Sequence, residues 1–135
     1  MIVKVGSKEY FEFVKFSEDK KLIEMLTNDK EYLFEYDYFK QTGYHWAAKR
    51  GNVSTLGILI SFGKHLNLKD NNLRTPLFLA AKNNHLEALI LLFSFDANPF
   101  IQNIDGKLPV DVCSNDQCKE IIMKNMEVLV INYRD

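Results

Sequence analysis

The sequence predicts an all-α solenoid in which helix-turn-helix units stack side by side. Two observations support this fold class: residue types recur every 33 positions, and within each period the apolar residues have the spacing of two short helices. The composition agrees, because 47% hydrophobic and 26% charged residues with a net charge of -1 are typical of a folded globular chain of 135 residues.

The 33-residue period defines the units. Identical residues fall in register, with Thr42 over Thr75, Ala47-Ala48 over Ala80-Ala81, and Pro76 over Pro109. This register predicts a repeat domain over residues 8–126 with four units, at residues 8–36, 37–69, 70–102 and 103–126. Because a single unit cannot bury its apolar side alone, the stacked units would share one continuous core.

The third unit shows the two helices most clearly. Thr75 is a good N-cap and Pro76 suits the first helical position, so a short apolar helix begins there. It would end at Asn83-Asn84, where Asn can adopt the left-handed conformation, and Gly51 takes that place in the second unit. A second helix with apolar residues at helical spacing follows from His85 to about Ser94.

The two ends of the chain differ from the repeats. Residues 1–7 are predicted to be an extended segment, and residues 127–135 an extended tail, because both are rich in β-branched residues bounded by polar ones. An unpaired apolar strand is an aggregation hazard unless it finds an edge. The tail would therefore add to a neighbouring subunit, or alternatively fold over the last repeat of its own chain.

These residues resemble a known family. Residues 70–92 and 42–52, with Thr75-Pro76 and the two Ala-Ala pairs in register, are similar to the ankyrin repeat, and the likeness extends over residues 8 to about 126. It implies paired antiparallel helices with projecting hairpin loops, called fingers, and a concave face used for protein recognition. Three residues depart from the family pattern: Leu73 stands for a turn Gly, Gly43 for the helix-starting Pro, and Phe78 for His.

The resemblance also implies which residues bind a partner, at the finger tips and on the exposed flank of each first helix. Carried over by position, they are Tyr38, Phe39, Gln41, Lys49, Arg50 and Lys69 in the second unit, Asn71, Asn72, Arg74, Lys82, Asn83 and Gln102 in the third, and Ile104, Asp105 and Lys107 in the fourth. Tyr36, with Tyr38 and Phe39, places aromatic side chains in the first finger. Such residues are common in interface hot spots. The alternative is that they pack onto the aromatic first unit.

Charge is distributed unevenly along the chain. Residues 37–69 contain five basic residues and one acidic residue, although the whole chain carries a net charge of -1. Since Lys49, Arg50, Lys69, Arg74 and Lys82 map to the expected concave face, the pattern predicts a protein partner with an acidic surface. An ordinary solvated face would give the same pattern.

No catalytic or metal-binding motif is present. His45, His65 and His85 occupy three different repeat positions, and His45 lies three residues after Thr42, where the family joins the two side chains by a hydrogen bond. Cys113 and Cys118 are predicted to be reduced thiols that fill the core, and Trp46 is interpreted as packing. We therefore expect no catalytic residues, no metal, no cofactor and no small-molecule substrate.

The sequence thus predicts a non-catalytic protein–protein interaction module, an adaptor or a subunit of a larger assembly. One alternative is an RNA-contacting accessory protein that uses the Lys and Arg stripe, although the net charge of -1 argues against it. Another is a regulatory inhibitor of an enzyme. Without a secretory signal or a long apolar segment, the expected location is intracellular, cytoplasmic by default, with no membrane insertion.

Overall fold

A computed structural model describes residues 7–134 of the chain. Over that range the chain is helical, with no strand, and the predicted all-α solenoid is confirmed. The helices are α1 (Ser7–Lys15), α2 (Asp19–Asn28), a 3₁₀ turn (Lys30–Phe34), α3 (Gly43–Arg50), α4 (Val53–Phe62), α5 (Pro76–Lys82), α6 (Leu86–Ser94), α7 (Pro109–Val112) and α8 (Asp116–Arg134).

The helices form two layers. In the first layer α1 packs on α3, α3 on α5, and α5 on α7, and in the second layer α2 packs on α4, α4 on α6, and α6 on α8. The alanine pairs Ala47-Ala48 and Ala80-Ala81 are fully buried, so their small side chains permit close approach within the first layer. Buried leucines of the second layer, such as Leu59 and Leu92, complete the same core.

Local sequence sets the ends of the short first-layer helices. The hydroxyl of Thr75 accepts a hydrogen bond from the backbone N–H of Phe78 at 3.3 Å, and Pro76 opens α5 as predicted. Past the ends of α3 and α5, Gly51 and Asn84 adopt left-handed conformations with φ of 69° and 56°. The predicted helix boundaries of these units are therefore confirmed within one residue.

Three loops connect the units, and we call them the first finger (residues 37–41), the second finger (residues 70–74) and the third finger (residues 103–107). Each opens with a side-chain oxygen that accepts two backbone hydrogen bonds, from the residues two and four positions later. The acceptors are Asp37, Asp70 and Asn103, at donor–acceptor distances of 2.9 to 3.1 Å. Such local bonds favour turns, because they satisfy backbone donors without a strand partner.

Neighbouring fingers are also joined to each other. The N–H of Asn71 donates to the carbonyl of Phe39 at 3.0 Å, and the N–H of Ile104 donates to the carbonyl of Asn72 at 2.9 Å. These bonds hold the fingers side by side, one unit apart. The fingers therefore form a continuous surface instead of three independent loops.

Two departures from the family pattern have structural consequences. Leu73 adopts a left-handed conformation with φ of 59°, at the finger position where Gly106 has φ of 76° in the third finger. Gly43 opens α3 against the ring of Tyr10, and a Cβ atom there would overlap the Tyr10 hydroxyl. Tyr10 thus occupies the space that a proline would need at the start of this helix.

The prediction of an extended tail over residues 127–135 is wrong for residues 127–134. These residues continue α8, which runs 19 residues without a break from Asp116 to Arg134. The physical reason is that Ile122, Met126 and Leu129 recur at helical spacing: Ile122 and Met126 pack in or against the core, and Leu129 is half-buried on the same face. Once a helix is nucleated, each added residue gains one hydrogen bond, which outweighs the weak β preference of Val128, Val130 and Ile131.

The other predicted extended segment lies mostly outside the described residues. Residues 1–6 are not described, and Ser7 is the first residue of α1. The last unit departs from the others: α7 has only four residues, and the side chain of Asn84 accepts hydrogen bonds from the backbone N–H groups of Ser114 and Asn115. Cys113 and Cys118 are both buried and free, which confirms their role in the core.

Candidate partner-binding face

The residues predicted to bind a partner gather on one surface, which we call the finger face. It consists of the three fingers and the exposed flanks of α3 and α5. Most of the predicted side chains are exposed there: Tyr38, Phe39, Arg50, Lys69, Asn71, Asn72, Lys82 and Asn83. Tyr36, Lys49 and Arg74 are half-buried, and Gln41 is buried.

A groove lies on the finger face between the second and third fingers, and we call it the basic groove. Its volume is about 350 Å³. Three cationic side chains and one carboxylate line it, together with polar and apolar groups: Arg74, Lys82, Lys107 and Asp105, then Asn72, Asn103, Ile104, Phe78 and Val112. The lining is therefore net positive and has an apolar wall.

Most cations of the finger face have no carboxylate partner. Among the described residues only two ion pairs form, Lys21 with Glu18 on α2 and Arg74 with Asp70 in the second finger. Within that same range, Lys49, Arg50, Lys82 and Lys107 form no ion pair. Their charge is left to solvent or to a bound anion.

Asp70 organises the second finger from a buried position. Burial alone would raise the pKa of this carboxyl, but hydrogen bonds from the Arg74 backbone and from the Gln41 and Arg74 side chains hold it below its usual range. The donor–acceptor distances are 3.1 Å from Gln41 Nε2 and 2.9 Å from Arg74 Nε. The carboxylate therefore remains ionised and fixes both side chains.

This arrangement corrects one predicted site residue. Gln41 is only 3% exposed and its amide group is bonded to Asp70, so it joins the first and second fingers and is not accessible to a partner. Sequence reasoning missed the burial because the acceptor lies one unit away. The repeat position of Gln41 is exposed in the third finger, where Lys107 occupies it.

Trp46 belongs to the finger face and not only to the core. Its indole Nε1 donates to Asp37 Oδ2 at 2.8 Å, and the side chain is half-buried. The ammonium groups of Lys15 and Lys49 lie 4.1 Å and 4.8 Å from the ring centroid, within the range of cation–π attraction. The contact of Lys49 with Trp46 follows from their i, i+3 spacing, whereas Lys15 comes from α1 and could not be found from sequence.

Arg50 extends this cationic cluster. Its guanidinium carbon lies 6.0 Å from the ring centroid of Phe16, a side chain that is 68% exposed at the end of α1. We use the name Trp46 cluster for Trp46 and the three cations Lys15, Lys49 and Arg50. Three positive charges on the last turns of α1 and α3 also suit the negative ends of those helix dipoles.

The aromatic residues of the first finger divide into two groups. Tyr38 is 90% exposed and Phe39 is 61% exposed, and their rings meet edge to face at 5.5 Å between centroids. The alternative that they cover the first unit is therefore wrong for these two residues. Tyr36 is half-buried and makes contacts within the chain.

All three histidines have structural partners, and the ring of His65 lies 4.5 Å from that of Phe34 between centroids. His45 is buried, its Nδ1 lies 2.9 Å from the Thr42 hydroxyl, and its Nε2 lies 2.8 Å from the Arg74 carbonyl, which confirms the predicted tie between units. Burial lowers the pKa of His45 below its usual value. His85 Nε2 lies 2.9 Å from the carbonyl of Lys49. Across residues 7–134, no group of His, Cys, Asp and Glu could hold a metal ion.

None of the helices described here is long and apolar enough to cross a bilayer. The longest, α8, combines apolar positions with several charged ones, among them Lys119, Glu120, Lys124 and Glu127.

Comparison with known proteins agrees with this architecture. A family model described as ankyrin repeats, in three copies, matches residues 11–125. Over 98 residues, 73% of this chain, the sequence is 31% identical to the palmitoyltransferase AKR1 of Debaryomyces hansenii. It is 28% identical over 104 residues (77% of the chain) to the BCL-6 corepressor-like protein 1 of Homo sapiens. It is 29% identical over 115 residues (82% of the chain) to the target of rapamycin complex 2 subunit AVO2 of Saccharomyces cerevisiae.

All three relatives are much longer than the region they share with this chain. The matched segments amount to 12%, 6% and 27% of these proteins, so the chain spans less than a third of each.

Proposed function

The chain belongs to the ankyrin repeat family, and from this premise we propose that it is a non-catalytic adaptor, or a subunit of a larger assembly, whose finger face binds an acidic surface of a protein partner. Ankyrin repeats imply protein–protein interaction. By its name, one relative is a subunit of a complex. The relative named a palmitoyltransferase shares only 12% of its length with this chain, so its activity is not carried over.

One observation carries the choice of partner: the unpaired cations of the finger face. Lys49, Arg50, Lys82 and Lys107 lie on one surface and form no ion pair within the described part of the chain. A surface of one sign steers a partner of the opposite sign and disfavours a partner of the same sign. An acidic protein surface is therefore the occupant that this face favours.

The exposed aromatic pair supplies the apolar part of the proposed interface. Tyr38 and Phe39 form a preassembled ring pair at the tip of the first finger, so little conformational entropy is lost when a partner covers them. Aromatic anchors beside Arg are typical of the residues that dominate binding energy. We propose Tyr38 and Phe39 as the anchor and the cations as the rim.

An intracellular location is part of the proposal. Cys113 and Cys118 are free and buried, and burial raises the pKa of both thiols, so they stay protonated and unreactive. Two thiols kept in the core without a disulfide suit a reducing compartment.

The test is affinity purification of the tagged full chain from its own cells, with quantitative identification of stoichiometric partners. The double variant Lys49→Glu with Arg50→Glu should retain at least tenfold less partner while helical content by circular dichroism stays unchanged, because Arg50 is exposed, Lys49 is half-buried, and neither forms an ion pair with a described residue. The matched control is Lys20→Glu with Lys124→Glu, which makes the same charge change at exposed positions of α2 and α8. Equal loss in both variants would contradict the finger face as the site.

Two further outcomes are decisive. The association rate with the purified partner should fall as salt rises, since long-range steering by charge is screened. If the purified chain instead retained RNA in a salt-dependent filter assay and no protein were stoichiometric, the RNA-contacting alternative would replace this proposal.

A further inference from the structure

We infer that the basic groove is a pocket for one acidic side chain of an extended partner segment, which pairs there with Lys82, and that Lys49 of the Trp46 cluster, one unit before Lys82, receives a second acidic side chain three residues along. This inference rests on the proposed function and gives the partner segment a sequence pattern: Asp or Glu, two intervening residues, then Asp or Glu, with an aliphatic residue next to the one in the groove.

The positive charge of the basic groove supports the binding of an acidic side chain there. Arg74 bonds Asp70 through Nε, and no hydrogen bond joins its two terminal nitrogens to any other described residue. Lys82 and Lys107 line the same groove without an ion pair in that range. The single carboxylate of the lining, Asp105, leaves an excess of positive charge, which a carboxylate would neutralise with charge-assisted hydrogen bonds.

The shape of the groove argues for a side chain and against a free ion. One wall is apolar, with Val112 half-buried and Ile104 at 63% exposure in front of the buried Phe78. A volume of about 350 Å³ is at the lower end of the range for ligand pockets, which run from about 300 to 1,000 Å³. A carboxylate paired with the cations would therefore bring its neighbouring residue against Ile104, and an aliphatic side chain suits that contact.

The spacing of the two subsites comes from the repeat. Lys49 and Lys82 occupy the same position in consecutive units, and Asn83 Nδ2 donates to the carbonyl of Lys49 at 3.1 Å, so these segments are adjacent. Packed helices lie about 10 Å apart, and an extended chain rises about 3.3 Å per residue. Three residues of an extended segment therefore span the one unit between Lys82 and Lys49, which places the second carboxylate at Lys49 of the Trp46 cluster.

The experiment begins with selection of random twelve-residue peptides displayed on phage against the immobilised full chain. Enriched peptides should carry two acidic residues three positions apart, with Leu, Ile or Val beside one of them. Trp46 is the single tryptophan of the protein. Binding of an enriched peptide without tryptophan should therefore also change the fluorescence of Trp46. Enriched peptides without this spacing would overturn the inference, and failure to enrich any peptide would count against the proposed function as well.

Double-mutant cycles then assign each acid to its subsite. Changing the groove acid of the peptide to its amide should weaken binding to the native chain about tenfold, or about 1.4 kcal/mol, by fluorescence anisotropy. The same change should have little effect in Lys82→Gln with Lys107→Gln, and should keep its full effect in the control Lys20→Gln with Lys124→Gln. Asn103→Asp is a second variant: it gives the third finger a carboxylate at the position that Asp70 holds beside Arg74, and it should weaken peptide binding while leaving Lys107 in place.

The outcomes separate the two claims. If the groove variants bind as the native chain does while Lys49→Glu with Arg50→Glu does not, the finger face stands and the groove pocket is refuted. If replacing the aliphatic neighbour by Ser costs nothing, or if inorganic phosphate at constant ionic strength displaces the peptide as well as a free acidic peptide does, the groove is a simple anion site and the inference fails.

Discussion

The contact between Tyr10 and Gly43 makes a strong prediction about stability. Tyr10 is fully buried in α1, and its hydroxyl is the buried side-chain group without a hydrogen-bond partner among the described residues. Burial raises the pKa of Tyr10, so the group is a neutral and unsatisfied phenol. It lies against Gly43 at the start of α3, where an added Cβ would overlap the hydroxyl and lie 3.0 Å from Cζ.

The magnitudes follow from these contacts. A buried polar group without a partner costs about 1 to 3 kcal/mol, so Tyr10→Phe should raise the free energy of unfolding by about 1 kcal/mol. Gly43→Ala should lower it by about 1 to 3 kcal/mol, because an added methyl group in a packed site forces side chains from their preferred positions. In the Tyr10→Phe background the worst overlap is gone, and Gly43→Ala should cost about 1 kcal/mol less there than in the native chain.

Urea unfolding followed by circular dichroism gives the four free energies of this cycle, provided that the dependence on urea is the same in each variant. Tyr44→Phe is the matched control: Tyr44 is equally buried, but its hydroxyl donates to the carbonyl of Leu59 at 3.2 Å and contacts that of Gly63. That change should destabilise the chain by about 1 kcal/mol, since it removes the hydrogen bonding of the Tyr44 hydroxyl to these carbonyls. Destabilisation by Tyr10→Phe, or an equal cost of Gly43→Ala in both backgrounds, would refute the reasoning.

Two further predictions concern the second finger and its neighbour. Leu73→Gly should stabilise the chain by about 0.5 to 1 kcal/mol in urea unfolding, because an L-residue in the left-handed conformation costs about 1 to 2 kcal/mol and the greater freedom of unfolded Gly offsets part of that gain. A decrease in stability would show that the apolar side chain of Leu73 matters more than its backbone strain. Burial lowers the pKa of His45, so the neutral form favours folding, and the free energy of unfolding should fall as pH decreases from 7 through 6.5 towards the lower pKa of the folded state. The variant His45→Phe, which places the residue type of Phe78 at the equivalent position, should have a lower free energy of unfolding at pH 7. It should also lose the decrease in the free energy of unfolding that protonation of His45 causes at lower pH. If the free energy of unfolding still differs between pH 7 and pH 5 by as much as in the native chain, the prediction is contradicted.

The fold could be predicted from the sequence because each unit contains the local residues that start its helices and close its finger. Thr75 and Pro76 start a helix by satisfying or omitting its first donors, and Asp37 and Asp70 recur at the openings of the fingers because each closes a turn within four residues. These signals act over a few residues and need no knowledge of the partner unit.

The tail could not be predicted in the same way. Residues 127–134 have β-branched side chains, and their local preference favours a strand, but they follow a helix that the last unit has already nucleated. The preceding helix, and not the local β preference, therefore determines that these residues are helical. The burial of Gln41 and the contact of Lys15 with Trp46 were missed because each depends on a group from a neighbouring unit.

One repeat position shows how the same place in the fold serves stability in one unit and binding in another. Gln41, Arg74 and Lys107 are equivalent by the 33-residue period. Gln41 and Arg74 both donate to the carboxylate of Asp70, so each has a partner within the protein. The residue equivalent to Asp70 in the third finger is Asn103, whose side-chain oxygen is bonded to two backbone N–H groups and carries no charge.

Lys107 therefore lacks the carboxylate that Asp70 supplies to Arg74 in the second finger, and its charge remains in the basic groove. A single replacement of Asp by Asn in the repeat pattern keeps the turn, because an amide oxygen accepts the same backbone bonds, but removes the internal counter-ion. The positive field of the basic groove thus arises from a missing charge in the third finger as much as from the lysines that line it.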